Sequence, residues 1–202
     1  MTSSALRVDI WSDFVCPFCF IGALRLGQLA EQRPLDRNWH AFQLRPAGAP
    51  PMDPAKRKMI AEHTPKLAAQ MREEFSLDIA RGPLDINTRA AHRLFAAAET
   101  AGKGAGVHDA LFRAYWLHGL DISDATVLAG IAVEHGFDGT AAISGDDSAS
   151  EQAVAADVAQ AAQYGFQGVP ATVFGQKYYV SGAQPLSVFA QAAEKAAAET
   201  GA

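Results

Sequence analysis

The stretch Asp13-Phe14-Val15-Cys16-Pro17-Phe18-Cys19-Phe20-Ile21-Gly22 holds both cysteines of the 202-residue chain, with two residues between them. Just before it, Leu6-Arg7-Val8-Asp9-Ile10-Trp11 alternates apolar and polar residues, the period of a strand. After it, Leu24, Leu26, Leu29 and Ala30 follow helical spacing until Pro34 stops the run. The reading is strand, tight turn, Cys-x-x-Cys, helix, with Pro17 at the first helical position, where its missing N–H costs nothing. If Cys16 opens the helix, Cys19 lies one turn along on the same face, near enough to close a small disulfide ring. Unpaired N–H groups and the partial positive charge of the helix start favour a thiolate at Cys16. Cys16 is therefore the predicted nucleophile and Cys19 the predicted resolving thiol.

Other roles for the pair fit less well. Zinc needs two further ligands, and neither a second Cys-x-x-Cys nor a paired histidine motif exists; His108 and His118 are unrelated to the cysteine spacing. A purely structural disulfide closing so small a ring would hardly constrain the unfolded chain. Two cysteines neighbouring by chance would be buried apolar side chains.

Composition narrows the class. Hydrophobic residues make up 49% and charged residues 19%, the balance of an ordinary folded protein, and the chain is long enough for a full core. A net charge of -5, without basic blocks interleaved with aromatics, argues against nucleic acid as a partner. No run of about 18 apolar residues suggests a membrane span. The amino terminus shows no basic segment followed by an apolar core, so a cytoplasmic location is expected. There a Cys-x-x-Cys is more often redox-active than structural.

Beyond the first helix, Asn38-Trp39-His40-Ala41-Phe42-Gln43-Leu44 predicts a second strand, and the Gly- and Pro-rich segment 47–54 a loop at a boundary. Helices are predicted over 54–75, 87–101 with Asn87 or Thr88 as cap, 107–118, 123–136 with Ser123 as cap, and 148–164. Gly168-Val169-Pro170-Ala171-Thr172-Val173-Phe174, then Gly175-Gln176, then Lys177-Tyr178-Tyr179-Val180-Ser181-Gly182 reads as a hairpin. Leu186, Phe189, Ala190 and Ala193 predict a closing amphipathic helix, with 196–202 expected to fray.

These pieces together resemble the FrnE-like branch of the DsbA-family thiol-disulfide oxidoreductases, within the thioredoxin superfamily. The resemblance rests on residues 13–22, Phe42-Gln43-Leu44, Asn87-Thr88-Arg89-Ala90-Ala91-His92-Arg93, Gly168-Val169-Pro170 and Val180-Ser181-Gly182-Ala183-Gln184-Pro185, in the expected order along nearly the whole chain. It implies an α/β, thioredoxin-like fold with a large all-helical insertion: residues 1–46 and 165–202 as the discontinuous thioredoxin-like domain and 47–164 as the insertion. It further implies catalysis by Cys16 and Cys19, with substrate contacts from Pro17, Phe18, Val169 and Pro170. Val169-Pro170 would be a cis peptide facing the cysteines, pairing with an extended substrate segment. Asn87 and Arg89 resemble cleft-lining positions, with a helix cap and a surface ion pair as their alternatives. Substrates would be protein thiols or disulfides, with glutathione as a candidate co-substrate and no cofactor beyond the two thiols. The apolar sides of the insertion helices leave a homodimer open.

One position departs from the family pattern. The branch most often carries Trp, and DsbA itself His, where this chain has Phe18, which offers no donor; this implies a less oxidising couple. Asp13, three residues before Cys16, is a candidate to accept the Cys19 proton through water, with turn capping as its alternative. His92 and His108 read as helix-face or core residues rather than bases. The competing class is a glutathione-dependent transferase or isomerase, like kappa-class glutathione transferases and 2-hydroxychromene-2-carboxylate isomerases. Those relatives usually carry Ser in place of Cys16 and lack a resolving cysteine, so both thiols of this chain favour redox exchange.

Overall fold

The computed structural model describes residues 5–200; residues 1–4, on which part of the reading of the amino terminus rests, and 201–202, the tip of the predicted fraying end, lie outside them. In chain order the elements are β1 (Leu6–Ser12), α1 (Pro17–Gln32), β2 (Leu35–Ala41), α2 (Pro54–Phe75), α3 (Arg89–Thr100), α4 (Gly104–Trp116), α5 (Ala125–Glu134), α6 (Thr140–Ser144), α7 (Ser148–Gln163), β3 (Ala171–Phe174), β4 (Tyr178–Ser181) and α8 (Leu186–Thr200). By contact they divide into two compact units: one is the chain up to Phe42 and from Ala156 on, the other Gln43–Ala155. The sequence reading puts the joints after 46 and after 164. By contact the second joint falls inside α7, whose carboxyl-terminal half carries Asp157 and Ala161 against the sheet.

The first unit has the thioredoxin arrangement. Its sheet runs in the order β2-β1-β3-β4. β1 and β2 are parallel, joined by the crossover helix α1, whereas β3 is antiparallel to both β1 and β4. β2 begins earlier than alternation alone predicts, at Leu35, because it pairs with β1 along its full length, from Leu6 with Leu35 to Ser12 with Ala41. The chain turns straight from α1 into this register: the Leu6 N–H donates to the Pro34 carbonyl at 3.1 Å. Alternation on β1 separates two faces. Leu6, Val8 and Ile10 pack with Leu26 and Leu29 of α1 and Phe189, Ala193 and Ala196 of α8. Trp11 points the other way, onto Ala161 and Ala171. Burying each large side chain of this kind stabilises the fold by about 1.5–3 kcal/mol, which fixes the end of β1 and the start of α1 in place. At the hairpin, Gly175 and Gln176 both take positive φ, 55° and 58°, and the Lys177 N–H closes the turn on the Phe174 carbonyl at 3.1 Å.

The second unit is helical throughout its regular elements. α2 is capped by Asp53, whose side chain accepts from Ala55 N–H, and ends at Ser76 in the left-handed region; it also contains Pro65. Of its side chains, only Met71 is buried. α3 and α4 bring together Leu94, Phe95, Leu111 and Phe112 as buried residues. α5 is capped by Asp124 instead of Ser123. The short α6 has no counterpart in the sequence reading, since five residues carry too little periodicity; its N-cap is Gly139, the Asp138 side chain accepts from the Thr140 N–H, and it ends at Gly145, φ 95°. Arg93 donates to the Ala142 and Ile143 carbonyls at 2.7 and 2.8 Å, satisfying the carboxyl end of that helix.

Candidate active site

Both cysteines sit where β1 gives way to α1. After Ser12 the chain turns through Asp13, Phe14 and Val15, and the Cys16 N–H closes the turn on the Asp13 carbonyl at 3.0 Å. Cys16 is extended, φ -86° and ψ 120°, and stands as the N-cap of α1, with Pro17 next inside the helix. Its carbonyl accepts from the N–H groups of Cys19 and Phe20, at 3.1 and 3.2 Å. This geometry makes one residue both the end of a turn and the start of a helix. Both cysteines are free thiols, 4% and 1% exposed, whereas Phe18 between them is 57% exposed. The motif thus presents an aromatic side chain to solvent above two sheltered sulfurs.

The Cys16 thiol donates to the Val169 carbonyl at 3.6 Å, 153 residues away in the chain, and the Val169-Pro170 peptide is cis. The Pro170 carbonyl in turn accepts from the Gly182 N–H at 2.8 Å. Gly22 faces the Pro170 ring, where an added Cβ would lie in ordinary van der Waals contact, 3.4 Å from its Cγ. Cys16, Pro17, Phe18, Val169 and Pro170 are therefore gathered within one unit.

Cys19 has a different environment. Burial pushes its thiol well above the ordinary thiol range, and the hydrogen bond and charge of Cys16 push it further; the Asp13 N–H and the Ser12 hydroxyl act the other way. The Asp13 N–H donates to the Cys19 sulfur at 3.5 Å. Asp13 itself is fully buried. At neutral pH Cys19 is held as a thiol.

Asn87 and Arg89 belong to the helical unit and are engaged within it. The Asn87 side chain donates to the Arg45 carbonyl at 2.7 Å and accepts from the Arg89 N–H at 2.9 Å, so it caps α3 from the residue before Thr88. The Arg89 Nε donates to Glu151 at 2.9 Å, and Arg93 reaches the same carboxylate at 3.2 Å. These hydrogen bonds, Arg89's above all, hold the Glu151 carboxyl below its ordinary range.

Two features lie outside the sequence reading. Arg25 is buried on α1 and donates to the Ala183 and Gln184 carbonyls at 2.8 and 2.9 Å, fastening the loop after β4. Its place four residues from Ile21 and four from Leu29, on the buried stripe of α1, is a signal the sequence carries. The second is a charged cluster of Arg7, Asp9, His40 and Asp157. The His40 ring bridges Asp157 at 2.7 Å and Asp9 at 3.1 Å and stacks on Trp11 with centroids 4.4 Å apart. Burial lowers the imidazole, yet the hydrogen bonds to Asp157 and Asp9 outweigh it and lift His40 to about 9. Asp9 is raised by burial but lowered more by His40 and Arg7. Beside this cluster a groove of about 500 Å³ is lined by Arg7, Trp11, Tyr164, Phe166 and Tyr179. Among the described residues no group of three or more His, Cys, Asp or Glu is placed to hold a metal ion. No described helix is long and apolar enough to cross a membrane.

Comparison with known proteins gives the same architecture. The family described as DSBA-like thioredoxin domain matches residues 7–194. A probable DsbA oxidoreductase from Streptomyces coelicolor superposes with a TM-score of 0.81 at 31% identity, covering 96% of this chain and 91% of that one. A 2-hydroxychromene-2-carboxylate isomerase superposes with a TM-score of 0.79 at 19% identity, over 96% and 98% of the two chains. The cytosolic disulfide reductase DsbM of Pseudomonas aeruginosa, solved with glutathione, gives 0.68 at 18% identity, over 94% and 100%. In sequence, YwbO of Bacillus subtilis, an uncharacterized protein, is 27% identical over 139 residues, 66% of this chain and 68% of that one.

Proposed function

Because the chain belongs to the DSBA-like thioredoxin domain family, we propose that it exchanges disulfides with protein or small thiols through Cys16 and Cys19. The observation that carries this reading is the asymmetry of the two sulfurs. Cys16 caps α1 beside Val169-Pro170, while Cys19, one turn in, is buried and held protonated.

In the reducing direction, the Cys16 thiolate attacks one sulfur of a substrate disulfide. A mixed disulfide forms and the first substrate thiolate leaves and takes a proton from solvent. Cys19 then gives up its proton and attacks the Cys16 sulfur, closing the Cys16–Cys19 disulfide and releasing the second substrate thiolate. Two electrons pass from the cysteine pair to the substrate; oxidation of a dithiol is the same sequence reversed, and the couple's potential sets the direction. Phe18 and Pro17 border the attacking sulfur, and the Val169-Pro170 backbone offers an edge for an extended substrate segment. The absence of a donor at Phe18 supports a couple less oxidising than DsbA's, suited to reduction or isomerisation in a cytoplasmic setting. DsbM, solved with glutathione, supports glutathione as co-substrate.

The test is equilibration of the pair against graded ratios of reduced and oxidised glutathione. A reversible two-electron transition involving Cys16 and Cys19 supports the reading, and its midpoint separates reductase from oxidase. Lack of any transition, with turnover of a small electrophile by glutathione in the Cys19→Ser protein, would move a glutathione-dependent transferase or isomerase to first place.

A further inference from the structure

Ser12, the last residue of β1, is only 5% exposed, and its Oγ makes no hydrogen bond of good geometry in the resting structure. A buried hydroxyl left unmatched is costly, so its place calls for a physical reason. The sulfur of Cys19 lies within its reach, and the N–H of the next residue, Asp13, already donates to that sulfur at 3.5 Å. A neutral thiol is a weak acceptor, whereas a thiolate is a strong one. The hydroxyl therefore has little to gain while Cys19 is protonated and much to gain once it ionises.

Resting on the oxidoreductase reading, we infer that the Ser12 hydroxyl is a donor reserved for the Cys19 thiolate and that, with the Asp13 N–H, it stabilises that thiolate as it attacks the mixed disulfide. The two steps place opposite demands on Cys19. While Cys16 is the free thiolate, its charge opposes ionisation of Cys19, so the neutral thiol does not compete for substrate. Once Cys16 is bonded to substrate sulfur, that charge is gone and burial alone opposes loss of the Cys19 proton. The Asp13 amide already on the sulfur, joined by the neighbouring Ser12 hydroxyl, then offsets the burial. Both donors are held by backbone pairing: the Phe42 N–H donates to the Ser12 carbonyl at 2.9 Å and the Cys16 N–H to that of Asp13 at 3.0 Å. An interaction that strengthens only as charge develops lowers a barrier without stabilising the ground state.

The experiment follows the reduced protein with the aromatic disulfide dithionitrobenzoate. Attack by Cys16 releases a first thionitrobenzoate, and attack by Cys19 on the resulting mixed disulfide releases a second. Both phases are recorded across the pH range for wild type, Ser12→Ala and Ser12→Thr. In Ser12→Ala the second phase is expected to slow by about tenfold, the scale of one lost hydrogen bond to a charged group, with its pH profile displaced to the alkaline side. The first phase should keep its rate, and Ser12→Thr should recover the second. A second phase in Ser12→Ala equal to wild type, or equal slowing of both phases, overturns the inference and leaves the oxidoreductase reading standing. A wild-type protein that releases no second thionitrobenzoate overturns both.

Discussion

The Cys16 sulfur and the Val169 carbonyl oxygen, 153 residues apart in the chain, meet at 3.6 Å. The sulfur at the head of α1 is thereby tied to the bend that precedes β3, whereas Cys19 one turn later reaches back to Asp13. The two thiols thus have distinct partners, and the proposed exchange gives them distinct tasks. Cys19→Ser should accumulate a stable mixed disulfide at Cys16 when treated with oxidised glutathione. Cys16→Ser should accumulate almost none at Cys19, which is both buried and held protonated. Intact-mass spectrometry reads both; adduct of equal yield on the two variants would refute the division of labour.

Phe18 is the exposed residue between the two sulfurs, so replacing it should leave stability within about 0.5 kcal/mol. Phe18→His places a donor beside Cys16 and stabilises the reduced form. The midpoint against glutathione should then become less negative, by on the order of tens of millivolts. A potential in the wild type already near about -120 mV would contradict the assignment of Phe18 as the less oxidising choice.

Much of this could be read from the chain because the signals are local. The Cys-x-x-Cys turn, the bounds of α2 at Pro54–Phe75 and the hairpin at Gly175-Gln176 depend on neighbours within a few residues. The first turns of β2 could not, since Asp36 and Arg37 are exposed on an edge strand and only the register with β1 makes them strand. The Asp13 N–H contact with the Cys19 sulfur also escapes sequence reading, which points to the Asp13 carboxylate and carries no sign of its backbone amide. The Asp9–His40–Asp157 cluster joins residues 31 and 117 positions apart, a distance over which neither periodicity nor spacing carries information.

Arg25 gives a prediction about the loop after β4. Its guanidinium serves two carbonyls, those of Ala183 and Gln184, from a buried position on α1. Arg25→Met keeps the apolar stem but leaves both carbonyls short of a donor, at a cost of about 2–4 kcal/mol. Amide hydrogen exchange at Gly182 and Gln184 should accelerate along with the fall in melting temperature. Arg25→Lys should recover only part of the loss, because a single ammonium does not reproduce the planar fork. Unchanged exchange at these two amides in Arg25→Met would show that the loop is held by other means.

His40 ties stability to pH through β1, β2 and α7. Its imidazolium is bracketed by Asp9 and Asp157, and the second oxygen of Asp157 accepts from the Ala41 N–H at 2.8 Å. The folded value of about 9 lies above the unfolded value near 6.5, so the folded state binds the proton more tightly. The resulting stabilisation is fully present below about pH 6.5 and is lost as pH rises through about 9, with an upper limit of about 3 kcal/mol. Asp9 works in the opposite sense at the acid end: its lowered value contributes stability above the unfolded carboxylate range that fades as pH falls. In His40→Gln the neutral amide cannot follow pH. Urea midpoints of wild type and His40→Gln should therefore differ most near pH 6 and converge toward pH 10, whereas a gap of constant size would mean that His40 contributes by packing on Trp11 and not by charge.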